Sequence, residues 1–103
     1  MKTEVIREEK DQERKYRIKK LTLDPGETID VHWHEHRAET WCIINGSATV
    51  KVSEKKFEVK AGDTFVVPIE TTHKITAHET GLIAIEIQLG EITEEYDIKR
   101  PPY

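Results

Sequence analysis

Turn signals recur along this chain at intervals of about 8 to 12 residues, and no other feature restricts its fold so strongly. Asp24-Pro25-Gly26, Asn45-Gly46, Ser53 to Lys55, Ala61-Gly62-Asp63, Pro68 and the His78 to Gly81 segment cut the sequence into pieces too short for helices. Proline presets one turn dihedral and glycine supplies the positive φ that follows it, so these are turns with a mechanism. The pieces between them alternate or are β-branched: Lys2 to Glu8, Tyr16 to Leu23, Thr28 to Trp33, Thr40 to Ile44, Ala48 to Val52, Lys56 to Val59, Thr64 to Val67, Lys74 to Ala77 and the very apolar Leu82 to Leu89. Helical character is confined to one turn near Glu94 to Asp97. The expected fold is all-β, a small antiparallel β-barrel or jelly roll.

Two local readings refine this. Asn45-Gly46 is the dipeptide of a two-residue hairpin, so Thr40 to Ile44 and Ala48 to Val52 are expected to be its arms. In the second strand Tyr16 and Ile18 lie on one parity and Leu21 and Leu23 on the other, which a β-bulge around Lys19 and Lys20 would reconcile.

At 103 residues the chain is expected to be a single domain, with an N-terminal strand and turn over residues 1–15 and a core over 16–100. Hydrophobic residues make up 36% and charged residues 35%, so the core must draw on one face of each strand. The net charge of -4 is mild and Lys alternates with Glu, which argues against nucleic-acid or membrane partners. No apolar run approaches the roughly 20 residues that span a bilayer, and Met1 to Lys10 lacks the apolar stretch of a signal peptide. A cytoplasmic location is expected, and the lone Cys42, which can form no internal disulfide, fits it.

Chemistry concentrates between Pro25 and Gly46. Residues two apart on a strand share a face, so His32 and His34 project together. Glu39 follows after a bend, and His73 can join from a distant loop. Three imidazoles and a carboxylate suit one divalent ion, zinc first, with iron, manganese, nickel or cobalt as alternatives, and they leave coordination positions open for a substrate. His34 and His36 offer the same spacing as His32 and His34, but only two residues separate His36 from Glu39, too few for the bend. His36 then becomes either a pocket residue or a loop histidine, while His78 beside Glu79 reads as surface. Trp41 shares a face with Glu39 and Ile43, and Cys42 points the other way.

These residues resemble the two motifs of the cupin superfamily. Gly26, His32, His34, Glu39 and Gly46 reproduce the first, and Gly62, Pro68 and His73 the second. Glu70 stands where the second motif has Gly, and Ala77 where it has Asn. Within cupins the chain is similar to the C-terminal domain of type II mannose-6-phosphate isomerases. That similarity rests on Pro25 to Glu27, His36 to Trp41, Asn45 to Val50 and Ile85 to Arg100, while His32 replaces that family's usual Gln.

The resemblance implies a metal-dependent isomerase that interconverts mannose 6-phosphate and fructose 6-phosphate through an enediolate, with metal ligands His32, His34, Glu39 and His73. Glu35, His36 and Glu86 are then the candidate bases, with the pKa of histidine favouring His36. Arg37, Lys51 and Arg100 are candidate phosphate ligands, and Trp41 and Gln88 further candidates for the sugar. A sugar- or metal-binding module without turnover and an Fe(II) oxygenase are the competing functions. A homodimer is expected, built on the Leu82 to Leu89 strand and the N-terminal strand.

Overall fold

Alternation of inward apolar and outward polar side chains builds two antiparallel layers that share a pair of long strands. The computed structural model describes residues 1–10, 15–34, 36–90 and 98–100. Its strands are β1 (Lys2–Lys10), β2 (Lys15–Leu23), β3 (Thr28–His34), β4 (Arg37–Val52), β5 (Lys55–Lys60), β6 (Thr64–Val67), β7 (His73–Gly90) and β8 (Ile98–Lys99). All pairings among the described residues are antiparallel. The expected turn near Glu94 to Asp97 lies outside the described residues.

β4 and β7 pair along almost their whole length, from Arg37↔Gly90 to Val52↔His73. The C-terminal half of β7 also pairs with β2, which carries β1, and the N-terminal half of β4 with β6. The other halves of the same two strands pair with β3 and β5. Each half-set forms one layer, and the inward side chains of both meet in one core. Leu21, Leu23, Trp41, Ile43, Phe65, Val67, Leu82 and Ala84 come from the first layer, and Ala48, Val50, Val59, Ile75 and Ala77 from the second. This is the jelly-roll arrangement that the turn spacing implied.

The expected hairpin at Asn45-Gly46 does not form. A type I′ hairpin needs positive φ at both central residues, and only Gly46, at φ 82°, has it. β4 instead runs through, with register shifts between Ile43 and Asn45 and between Gly46 and Ala48, while β7 passes through His78 to Gly81 without reversing. These irregularities bend both strands from one layer into the other. They also change parity, so that Trp41 and Ile43 face inward before the bend and Ala48 and Val50 after it.

The bulge expected around Lys19 and Lys20 is also absent. β2 stays in unbroken register with β7 from Tyr16↔Leu89 to Leu23↔Leu82. One parity faces inward throughout, and it carries Arg17, Lys19, Leu21 and Leu23. The irregularity lies in β1, between Val5 and Arg7. The turns at Asp24 to Glu27 and Lys60 to Asp63 form as expected, each closed by a backbone bond of 3.0 and 2.9 Å. Glu70, at the motif's glycine position, adopts φ 57°. The turn is therefore kept, with its amide donating to the His34 carbonyl at 2.6 Å, and the cost of placing a side-chain-bearing residue in that conformation explains why glycine is usual there.

Candidate metal centre

Register across the first layer sorts the inward side chains into rows. Leu23 faces Leu82, and Leu21, Ala84 and Ile43 form the next row. Beyond them come Lys19, Glu86 and Trp41, then Arg17, Gln88 and Glu39. The apolar rows close the core and the last two line a cavity of about 630 Å³, together with His32, His34, Arg37 and Arg100. That volume suits a small-molecule ligand.

The second layer supplies the histidines. His32 and His73 are direct partners between β3 and β7, and His34 projects from the same face two residues on. Ring centroids lie 4.1 Å apart for His32 and His73, 5.0 Å for His32 and His34, and 5.5 Å for His34 and His73. Ligand atoms from all three, each ring buried, lie within 4.8 Å of one another. On two of the three rings Nδ1 is held by the backbone, His32 Nδ1 by the Asp30 carbonyl at 2.8 Å and His73 Nδ1 by the Thr71 carbonyl at 3.4 Å. Such bonds fix ring orientation and turn Nε2 toward an ion.

Two observations show that the cluster fits a divalent metal. His73 Nε2 and His34 Nδ1 are buried without a hydrogen-bond partner, an arrangement that costs free energy unless something else ligates them. His32 is also kept neutral. Burial lowers its pKa to about 4, aided by the neighbouring His73 and His34, so at neutral pH its lone pair is available.

Glu39, in the last row of the first layer, meets the histidine cluster. Its Oε2 is 2.9 Å from His34 Nε2 and accepts from Arg37 Nε at 3.3 Å, while its Oε1 accepts from the Trp41 indole at 3.0 Å and lies 3.4 Å from His73 Nε2. Burial is the largest single influence and acts to raise its pKa, but the His34 and His73 contacts together outweigh it and hold the carboxylate well below its usual range. Glu86 moves the opposite way, to about 8, chiefly through burial and then through the Glu39 charge. Gln88 donates to Glu86 Oε1.

The candidate residues divide accordingly. His32, His34, Glu39, Arg37, Trp41, Glu86, Gln88 and Arg100 line one cavity, and His73 meets the other two histidines and Glu39 beside it. His36 does not join them, because the bend after His34 shifts the inward parity to Arg37 and leaves His36 exposed. Lys51 is a correction of the same kind. The bends in β4 turn Val50 inward and Lys51 outward, into a separate depression with Lys56 and Lys74. Glu35 lies outside the described residues. Arg17 and Lys19, buried in the cavity wall, were missed because their inward parity was interrupted by the assumed bulge. Trp41, a candidate for the sugar, stacks on Phe65 at a centroid distance of 5.7 Å and donates its indole N–H to Glu39. His78, read as surface, bonds Ser47 and Thr49 at 2.9 and 2.8 Å. Among the described residues no helix is long and apolar enough to cross a membrane.

Comparison with known proteins agrees with this geometry. Residues 5–101 match the family described as mannose-6-phosphate isomerase C-terminal. Curated relatives include the alginate biosynthesis protein AlgA of Pseudomonas aeruginosa, 31% identical over 84% of this chain and 18% of the relative. The xanthan biosynthesis protein XanB of Xanthomonas campestris is 31% identical over 87% and 20%. The chain thus spans about a fifth of the length of the curated relatives it matches. Among solved structures, KdgF from Halomonas sp. superposes with TM-score 0.79 at 21% identity, covering 88% of this chain and 79% of that one. An oxalate decarboxylase from Bacillus subtilis gives TM-score 0.75 at 27% identity, over 82% and 23%.

Proposed function

Because this chain belongs to the mannose-6-phosphate isomerase C-terminal family of cupin domains, we propose that it is a metal-dependent isomerase interconverting mannose 6-phosphate and fructose 6-phosphate. The observation that carries the reading is the buried three-histidine cluster, set against a wall of ionisable side chains in one cavity. His32, His34 and His73, with Glu39 as a fourth ligand, would hold the metal. A bound divalent ion, zinc first, would polarise the sugar's carbonyl and hydroxyl oxygens and offset the negative charge that develops on them.

The chain's own residues do the rest. Glu86 takes the proton from C2 of mannose 6-phosphate and returns it to C1, while the O2 hydroxyl proton passes to O1 so that C2 becomes the carbonyl carbon; Glu86 is favoured over His36 because it lines the cavity and His36 is exposed. Gln88 orients the Glu86 carboxyl by donating to it, and Arg37 and Arg100 offer guanidinium groups to the sugar's oxygens. Glu86 acts only when ionised. Its raised pKa therefore predicts a rate that climbs with pH toward about 8 in the direction of the charged form, with a bound cation moving that rise to lower pH.

A coupled assay for fructose 6-phosphate, run with zinc, cobalt, manganese and nickel across that pH range, tests this. Turnover with at least one metal, rising with pH and lost in Glu86→Gln, is the expected result. Absence of turnover with all four would leave a binding module as the function.

A further inference from the structure

The bends that carry β4 and β7 from one layer to the other also bring a serine, a histidine and a glutamate together on the outer face of the second layer. Ser47 sits at the register shift between Gly46 and Ala48, and His78 opens the β7 segment that this shift leaves without partners in β4. Bulges of this kind re-aim side chains. Ser47 Oγ lies 2.9 Å from His78 Nδ1, and His78 Nε2 lies 2.9 Å from Glu58 Oε2.

The polarity of this chain of contacts follows from its far end. A carboxylate only accepts, so the ring nitrogen that faces Glu58 carries the proton. Thr49 Oγ1, 2.8 Å from the same nitrogen, donates to Glu58 at 2.8 Å and can therefore only accept from the ring. His78 Nδ1 is left as the acceptor, and the Ser47 hydroxyl is the donor that meets it. Nucleophile, base and orienting carboxylate thus stand in sequence.

The arrangement is also open to a ligand. The His78 side chain is 39% exposed, and Ser47 is half-buried. Both line a depression of about 340 Å³ with Glu58, Val59, Lys60 and Asp63, a volume near the lower end of small-molecule sites. Lys60 stands opposite Ser47 in the pairing of β4 with β5, so its ammonium group is within reach of an oxygen held at the serine. None of these residues lines the cavity beside the histidine cluster.

We propose that Ser47, His78 and Glu58 form an acyl-transfer site, separate from the metal centre, that takes small carboxylic esters. Ser47 Oγ bonds to the ester carbonyl carbon as its proton passes to His78 Nδ1, and the Lys60 ammonium offsets the charge on the carbonyl oxygen. The bond from that carbon to the alcohol oxygen then breaks, and His78 gives its proton to the departing alcohol. Water, losing a proton to the same nitrogen, adds to the acyl-serine, and release of the carboxylic acid restores the Ser47 hydroxyl. Glu58 holds the ring in the tautomer that accepts at Nδ1. The site does not depend on the isomerase reading.

Metal-loaded protein treated with a fluorophosphonate, and separately with p-nitrophenyl acetate, tests the site. A phosphonyl adduct on Ser47, located by peptide mass spectrometry, and continuing release of p-nitrophenol are the expected results. Repeating the ester assay with a chelator present removes any hydrolysis at the metal centre. Ser47→Ala and His78→Gln are expected to lose the adduct and to lower the chelator-resistant rate by at least about 100-fold, and Glu58→Gln to lower it by about 10- to 100-fold. Ser47→Cys, which keeps a nucleophile, should still take up the acetyl group. Thermal midpoints report that each variant is folded.

A folded parent chain that gains no adduct on Ser47 would overturn the site. So would ester hydrolysis that Ser47→Ala leaves unchanged, or labelling of Ser47 that persists undiminished in His78→Gln. A serine bound to the imidazole only to fix the bend predicts all three of those results.

Discussion

Replacing His34 with alanine is expected to lower metal content from about one ion per chain to a trace and to abolish turnover with it. Only two of the three clustered imidazoles then remain. The affinity should fall by more than about 100-fold, because loss of a supporting partner alone costs 10- to 100-fold. His34 also sits against Glu39 Oε2 at 2.9 Å and Arg37 at 3.2 Å, so truncation removes a contact on the carboxylate proposed as fourth ligand. His34→Gln, which keeps more of the volume, separates metal loss from a packing defect. Full metal content in a folded His34→Ala chain, measured by atomic absorption after dialysis, would eliminate the ligand set.

The second large effect is structural. An alanine at Gly46 would place its Cβ 2.1 Å from the Gly81 carbonyl oxygen and 3.2 Å from the Leu82 Cα, in a backbone held at φ 82°. All three nearest atoms belong to the β7 backbone, so no side-chain rotation can relieve the clash. Gly46→Ala should therefore cost more than about 3 kcal/mol, combining overpacking with left-handed strain. Gly26 is the control. It has φ 77° but open space around its Cβ, so Gly26→Ala should cost only about 1 to 2 kcal/mol. Urea midpoints report both, and equal midpoints for the two variants would show that the close approach of β4 and β7 is not as described.

The contrast between these positions explains what the sequence could reveal. Gly26 and Gly62 mark reversals, and their neighbours Pro25 and Asp63 make that legible locally. Gly46 looks the same in sequence, yet its role depends on Gly81, which lies far along the chain and crosses it in space. Long-range pairing of β4 with β7 thus overrode a strong local hairpin preference. The strands on either side were read correctly, but their continuity through the bend was not.

The site was legible for a related reason. His32 and His34 share a face by strand parity alone, and the spacing to Glu39 selected the carboxylate that meets them. His36 and Lys51 were misplaced wherever a bend changes the inward parity, which periodicity cannot count across. Arg17 and Lys19 show the converse error, since a polar inward face imitates a change of phase when only apolar residues are used to define it. Glu86 and Gln88 could be placed on either face until the register of β7 against β2 and β4 turned them inward.

Proton transfer at C2 of the sugar is the step on which the whole account turns. Metal-loaded chain incubated with mannose 6-phosphate in D2O should incorporate deuterium from solvent at C2 or, after isomerisation, at C1, as seen by proton NMR. The label should vanish in Glu86→Gln and in metal-stripped protein. Recovery of unlabelled mannose 6-phosphate after prolonged incubation with metal-replete protein would contradict the isomerase reading.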